Sequence, residues 1–433
     1  MTGSAEMIRL AFGREGLPIS LHEEFEHVVL TVPVMHALPD PAAAIESALD
    51  RPFAGPPLSE LAPGKRSAAI AVCDITRPVP NRVMLPPLLE RLEAAGIARA
   101  NITILVATGL HRPASEAEIR EIVGERVAAQ YTVRNHDARN ASLHRALGAT
   151  RSGTTFGIDA RFLDADLHIT LGLIEPHLML GFSGGRKLIA PGLASEATIK
   201  QLHSPRFMRD ERTREGYVID NPLHAELLEI ARATRQDFML DVVLTRDRVI
   251  AAVFAGEPEA THAGGMQWVT DATMHTLDAP VDAVITTSAG YPLDLTFYQC
   301  IKGVTAASQI VKDGGRILLF GASNEGAGAK EFTEMLARFA SAQDFLDATA
   351  AAPVTIDQWQ LEKLALAARK AEIFYCVPGL PASQRAALWG PAFDDPGEAL
   401  RAFYADLPRG SRIAVIPEGP YVLAEARTRQ TLS

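Results

Sequence analysis

Ser67-Ala-Ala-Ile-Ala-Val-Cys73-Asp-Ile-Thr-Arg-Pro-Val-Pro-Asn81 is an apolar run that stops at an acid, an arginine and two prolines. Small and branched apolar residues in an unbroken row read as a strand buried on both faces, and the proline-pinned turn ends it. The segment that follows, MLPPLLERLEAAG, has helical spacing and stops at Gly96. The pattern then recurs. A strand over residues 101–106 ends in ATGLHRP, and a helix begins near Ser115, where Ser-Glu-Ala-Glu looks like a capping box. A third strand, DADLHITLGLI, runs into EPHLMLGFSGGRK.

A second series starts after Leu277, with a strand over 281–288, a helix over 299–311 and a strand over 315–320, followed later by a strand over 412–416. The expectation is an α/β protein of two α/β domains with parallel-rich sheets and an active site in the cleft between them. The domains are drawn as residues 1–275 and 276–418. The tail over 419–433 has the option of returning to the first domain. Ligands of open parallel sheets bind beyond the carboxyl ends of strands, so the three polar turns are expected to converge. They carry Asp74, Thr76, Arg77, His111, Arg112, His177, Ser183 and Lys187.

Composition narrows the classes of function. The chain has 433 residues, 47% of them hydrophobic, enough for filled cores. Its 42 basic and 52 acidic residues leave a net charge of −10, which argues against a nucleic-acid surface and makes any cluster of cations a local feature. Cys73, Cys300 and Cys376 lie far apart and form no CxxC pair, which fits a reducing compartment. The opening MTGSAEMIRLAFG has no apolar core of the secretory kind, and no run reaches the length of a membrane span, so a cytoplasmic protein is expected.

HLMLGFSGGRK, residues 177–187, suggests a phosphate loop, but Lys187 follows Arg186 and precedes Leu188, so the Walker spacing and its Ser or Thr are missing. Of twelve histidines, His111, His177 and His203 lie in or just after the polar turns, and two imidazoles facing a substrate can serve as acid and base near neutral pH. No HExxH or similar metal set occurs. Arg77, held between prolines, suits a carboxylate or phosphate. Gln299 and Lys302, in YPLDLTFYQCIKG, share a helical face, and Trp359 in DQWQ is a candidate pocket wall.

DITRPVP, TGLHRP, PHLMLGFSGGRK, LHSP, YPLDLTFYQCIKG and DQWQ, in that order from about residue 65 to about residue 420, resemble the nickel-dependent lactate racemase family. The resemblance implies a racemase or epimerase of a 2-hydroxy acid, working by reversible hydride transfer from the α-carbon to a cofactor. It implies that Lys187 carries a covalently attached nickel pincer nucleotide, a pyridinium mononucleotide with two sulfur-bearing arms, and that His203 completes the nickel coordination. His111 and His177 match the acid/base pair. Arg77, Tyr298, Gln299, Lys302 and Trp359 match substrate-binding positions. Asp74, Thr76, Ser183, Gly184 and Gly185 fall where the cofactor is held, with the glycines allowing close approach of the backbone. Cofactor-synthesis enzymes are implied as maturation partners. The bulk of Leu180 points to a preferred substrate other than lactate. Two further readings stand beside this one: a phosphate-handling α/β enzyme that binds a nucleotide without covalent attachment, and a silent relative that senses an anionic metabolite.

Overall fold

The computed structural model describes residues 7–427. They form two compact units, and the chain passes between them more often than its sequence suggests. One unit comprises residues 34–203 and 211–272. The other gathers residues 7–33, the short segment Ser204–Asp210 and residues 273–427. The last crossing falls between residues 272 and 273, and residues 7–33 group with the C-terminal half. The reason is strand addition: Glu26–Val29 lies parallel to Arg412–Ile416 at a sheet edge.

In the first of these units six strands lie in the order Ile250–Gly256, Phe238–Leu244, Leu167–Leu173, Ala68–Cys73, Ile102–Ala107 and Thr132–Asn135. All neighbours are parallel except the first pair. The central strands are buried almost throughout, as their unbroken apolar sequences require. Ile70, Val72, Ile104 and Ile169 pack with Leu85, Leu88 and Leu92 of the helix Asn81–Ala94 and with Ile45 and Leu49 of the helix Pro41–Asp50. Pro86 and Pro87 sit inside Asn81–Ala94 and deprive the carbonyls of Arg82 and Val83 of their donors. Both residues are exposed, so water can take those carbonyls. The capping box forms as expected, Ser115 accepting from the Glu118 amide and Glu118 from the Ser115 amide.

The other unit has a six-stranded, wholly parallel sheet in the order Ala392–Phe393, Ala371–Cys376, Val311–Phe320, Val281–Thr287, Arg412–Ile416 and Glu26–Val29. Alternate side chains enter two cores. Val284, Ile317, Leu319 and Tyr375 fill one face, and Ala283, Ile285, Leu318 and Phe374 the other. The tail strand Leu423–Ala426 lies parallel to Met274–Leu277 within this unit. Residues 428–433 of the tail lie outside the described residues. No helix among the described residues is long and apolar enough to cross a membrane.

Candidate active site

The strand Ala68–Cys73 delivers Asp74 at its carboxyl end, and the carboxylate organises the turn that follows. Its Oδ1 accepts from the Thr76 hydroxyl at 2.6 Å and amide at 3.2 Å. Its Oδ2 lies 2.6 Å from Nδ1 of His111, which comes from the turn after the neighbouring strand Ile102–Ala107. Burial pushes the Asp74 carboxyl up, but the hydrogen bond and charge of His111, with help from Thr76 and Arg77, outweigh it and hold the group below its ordinary value. Asp74, supported by Thr76, sets the orientation of His111. With Nδ1–H donating to the carboxylate, the neutral ring carries its lone pair on Nε2, and the side chain is 58% exposed.

His177 is set the other way. It ends the two-residue strand Pro176–His177, which pairs with Gly181–Phe182 in a hairpin. Its Nδ1 accepts from the amides of Met179 and Leu180 at 3.3 and 3.4 Å. An imidazole that accepts at Nδ1 carries its proton on Nε2. One candidate histidine thus presents a lone pair at Nε2 and the other an N–H.

After the hairpin the chain makes a 3-10 turn, Gly185–Leu188, that holds Lys187 half-buried above a fully buried set of groups. The Gly185 amide donates to Asp241 at 2.7 Å, and Ser183 closes the hairpin through Leu173 and Glu175. Arg186 donates to the Leu180 carbonyl at 2.9 Å and lies 3.2 Å from Nδ1 of His262, whose Nε2 donates to the Ser183 carbonyl. Burial raises Asp241 to about 7 and lowers Arg186 to about 9. A Cβ on Gly184 would stand 2.4 Å from the Asp241 carboxylate, and one on Gly185 2.9 Å from the His262 ring. The loop glycines are therefore required by close approach to the protein's own buried groups. Leu180 is 3% exposed, so its bulk is taken up in the interior and supports no conclusion about substrate size.

His203 caps the helix Glu196–Leu202. Its Nδ1 donates to the Ile199 carbonyl at 2.8 Å, which leaves the lone pair on Nε2, the form a metal ligand needs. Burial, with the nearby charge of Lys187, lowers it to about 4, so it is neutral at physiological pH. Lys187 also acts electrostatically on Cys73, whose thiol burial pushes up to about 12. Arg77, a third exposed, lies 3.8 Å from Glu175. Asp74, Thr76, Arg77, His111, Lys187 and His203 thus belong to one unit.

Tyr298, Gln299 and Lys302 lie together on the helix Phe297–Ser308 of the other unit. Trp359, on Gln358–Lys370, donates to the Tyr298 hydroxyl at 3.3 Å, and Gln360 donates to the Tyr298 carbonyl. Burial and the charge of Asp357 raise the Tyr298 phenol. The buried Oε1 of Gln299 has no hydrogen-bond partner among the described residues, so an amide oxygen stands ready for a donor. Sequence reasoning missed Asp241, Arg186 and His262 as supports of the loop. Gly184-Gly185 was the available signal, since paired glycines announce close packing without naming the partner.

Residues 12–216 match the family described as the lactate racemase N-terminal domain, and residues 277–424 the lactate racemase C-terminal domain. The lactate racemase of Thermoanaerobacterium thermosaccharolyticum is 33% identical over 387 residues, which is 88% of this chain and 90% of that one. The lactate racemase of Lactiplantibacillus plantarum is 34% identical over 389 residues, with the same shares. The solved lactate racemase apoprotein from T. thermosaccharolyticum superposes with a TM-score of 0.90 at 31% identity, covering 97% of this chain and 100% of that chain. A Thermotoga maritima protein at 16% identity shares the fold, with a TM-score of 0.61 over 91% of this chain and all of its own.

Proposed function

Since the chain belongs to the lactate racemase family of isomerases, we propose that it racemises or epimerises a small 2-hydroxy acid with the nickel pincer nucleotide held on Lys187. The observation that carries this reading is the opposite setting of His111 and His177, one lone pair and one proton at Nε2.

The residues fit the cofactor. Lys187 is held at a fixed place by a turn packed on Asp241 and His262, which suits a covalent tether. His203 is neutral, with its Nδ1 pinned and its lone pair on Nε2. His203 would give nickel one protein ligand, and the cofactor's soft sulfur arms would suit the remaining positions. When bound, the cofactor supplies a reversible acceptor for the substrate's α-hydrogen as hydride.

The protein's own groups handle the protons and the carboxylate. His111 Nε2 takes the hydroxyl proton of one enantiomer, and Asp74 stabilises the imidazolium that results. His177, in its imidazolium form, gives a proton from Nε2 to the carbonyl oxygen of the transient 2-keto acid as the other enantiomer forms, and takes one up again from water. The exposure of His111 lets it return its own proton to water between turnovers. Arg77 holds the substrate carboxylate. Lys302, Gln299, Tyr298 and Trp359 are assigned to substrate binding.

Intact mass and nickel content test the assignment, on protein made with and without the cofactor-synthesis enzymes. A mass increase with bound nickel is expected only with those enzymes, and only where Lys187 is present. Nickel and normal activity retained in Lys187→Ala would overturn it. Deuterium on the substrate α-carbon should stay with the substrate through racemisation, whereas washout into water would reject hydride transfer.

A further inference from the structure

The unit built on residues 34–203 and 211–272 has a concavity of about 530 Å³ at the edge of the sheet where its parallel strands begin. Lys65 and Arg66 precede the strand Ala68–Cys73, Asp166 precedes Leu167–Leu173, and Arg235 precedes Phe238–Leu244. The candidate histidines follow the carboxyl ends of strands in this sheet, so the two places lie at opposite edges.

Two observations mark it as a site for an anion. First, Lys65, Arg66, Arg145 and Arg235 line it against the single carboxylate of Asp166, in a chain whose net charge is −10. Arg66 and Arg145 are paired with Asp166 and Asp164, but Arg235 makes no ion pair among the described residues. Second, Arg235 is held at φ 61 and ψ 51, the left-handed conformation in which a helix end usually has glycine. His168, 4% exposed in the wall of the cavity, holds the Arg235 turn in place, its Nδ1 lying 3.0 Å from the Arg235 carbonyl and 3.1 Å from Asp237.

We propose that this cavity binds a phosphorylated small molecule of nucleotide size, apart from the catalytic residues. Arg145 and Arg235 hold the phosphate, whose geometry their planar forks match. Leu147 and Leu163 face the ligand's apolar part. The volume lies within the range of small-molecule sites.

Calorimetric titration with AMP, ATP, ribose 5-phosphate and inorganic pyrophosphate tests this on the full chain made without the cofactor-synthesis enzymes. The proteins are the parent, Arg235→Gly, Arg145→Gln combined with Arg235→Gly, and Lys187→Ala. Glycine suits the conformation at 235, so the single variant should keep the fold. Saturable binding of AMP or ATP is expected, with Kd below roughly 1 mM. Arg235→Gly should weaken it several-fold and the double variant by roughly tenfold or more, with Lys187→Ala unchanged. No saturation at millimolar ligand would overturn the proposal. So would binding lost in Lys187→Ala but kept in both cavity variants, and pyrophosphate binding as tight as AMP would overturn the nucleotide-sized class.

Discussion

Asp74 is the residue on which the proposed proton chemistry turns. Its carboxylate dictates which nitrogen of His111 holds the proton, because Nδ1–H donates to it at 2.6 Å. Asp74→Asn keeps the shape but can present an amide N–H to Nδ1 and so favour the tautomer that lacks a lone pair on Nε2. We expect kcat to fall by roughly 10² to 10⁴ in both directions while substrate KM changes little, measured by chiral chromatography of racemisation time courses. A merely structural role would instead lower the melting temperature and leave kcat per folded enzyme intact. Arg77→Ala should act on the other side of that split, raising KM, at a cost of roughly 1.5 to 3 kcal/mol for a lost charge-assisted hydrogen bond.

At the scale of the element, the turn Gly185–Leu188 shows how a loop can be rigid through what lies beneath it. Gly184 has φ 81, and a methyl group there would meet the Asp241 carboxylate. Gly184→Ala should destabilise the protein by about 2 kcal/mol or more and, by displacing Lys187, reduce the covalent modification proposed there. Thermal unfolding and intact mass read the two effects separately. The helix Gln358–Lys370 presents Glu362, fully buried, to Arg209 at 2.8 Å, with Thr349 and Gln358 on the same carboxylate. Lys363 on the same helix donates to the Met208 carbonyl. The segment Ser204–Asp210, which directly follows His203, is thereby anchored within its unit. Removing one partner of such a pair leaves the other uncompensated, so Glu362→Ala should cost about 3 kcal/mol. A melting temperature within a degree of the parent would contradict this.

For the whole molecule, buried histidines set the response to acid. Burial lowers His136 and His203 to about 4 and His224 to about 3, and His262 lies well below its ordinary value. A group whose folded pKa is depressed stabilises the fold above its unfolded value, here 6.5, and that stability is lost as pH falls toward the folded value. Asp241 acts in the opposite sense, since its folded pKa near 7 exceeds its unfolded value of 3.8. Four groups against one leave a net loss as pH falls from 6.5 toward 4, on the order of a few kcal/mol. Melting temperatures recorded across that window should decline before the ordinary carboxylates titrate, and a flat profile down to pH 4.5 would refute the account.

The α/β class and the turns bearing Asp74, His111 and Lys187 could be read directly from the sequence, because fully buried parallel strands need unbroken apolar runs and their ends need polar turns. The capping box at Ser115 was equally local. Three things were decided only in the tertiary structure. Glu26–Val29 joins a sheet by pairing with a strand nearly four hundred residues away, and no local pattern encodes such a partner. The opposite tautomers of His111 and His177 depend on Asp74 in one case and on backbone amides in the other, neither of which spacing alone reveals. Finally, the glycines beside Lys187 announce a close approach, but that Asp241 and His262 are what they approach follows from distant strands and helices packing into one core.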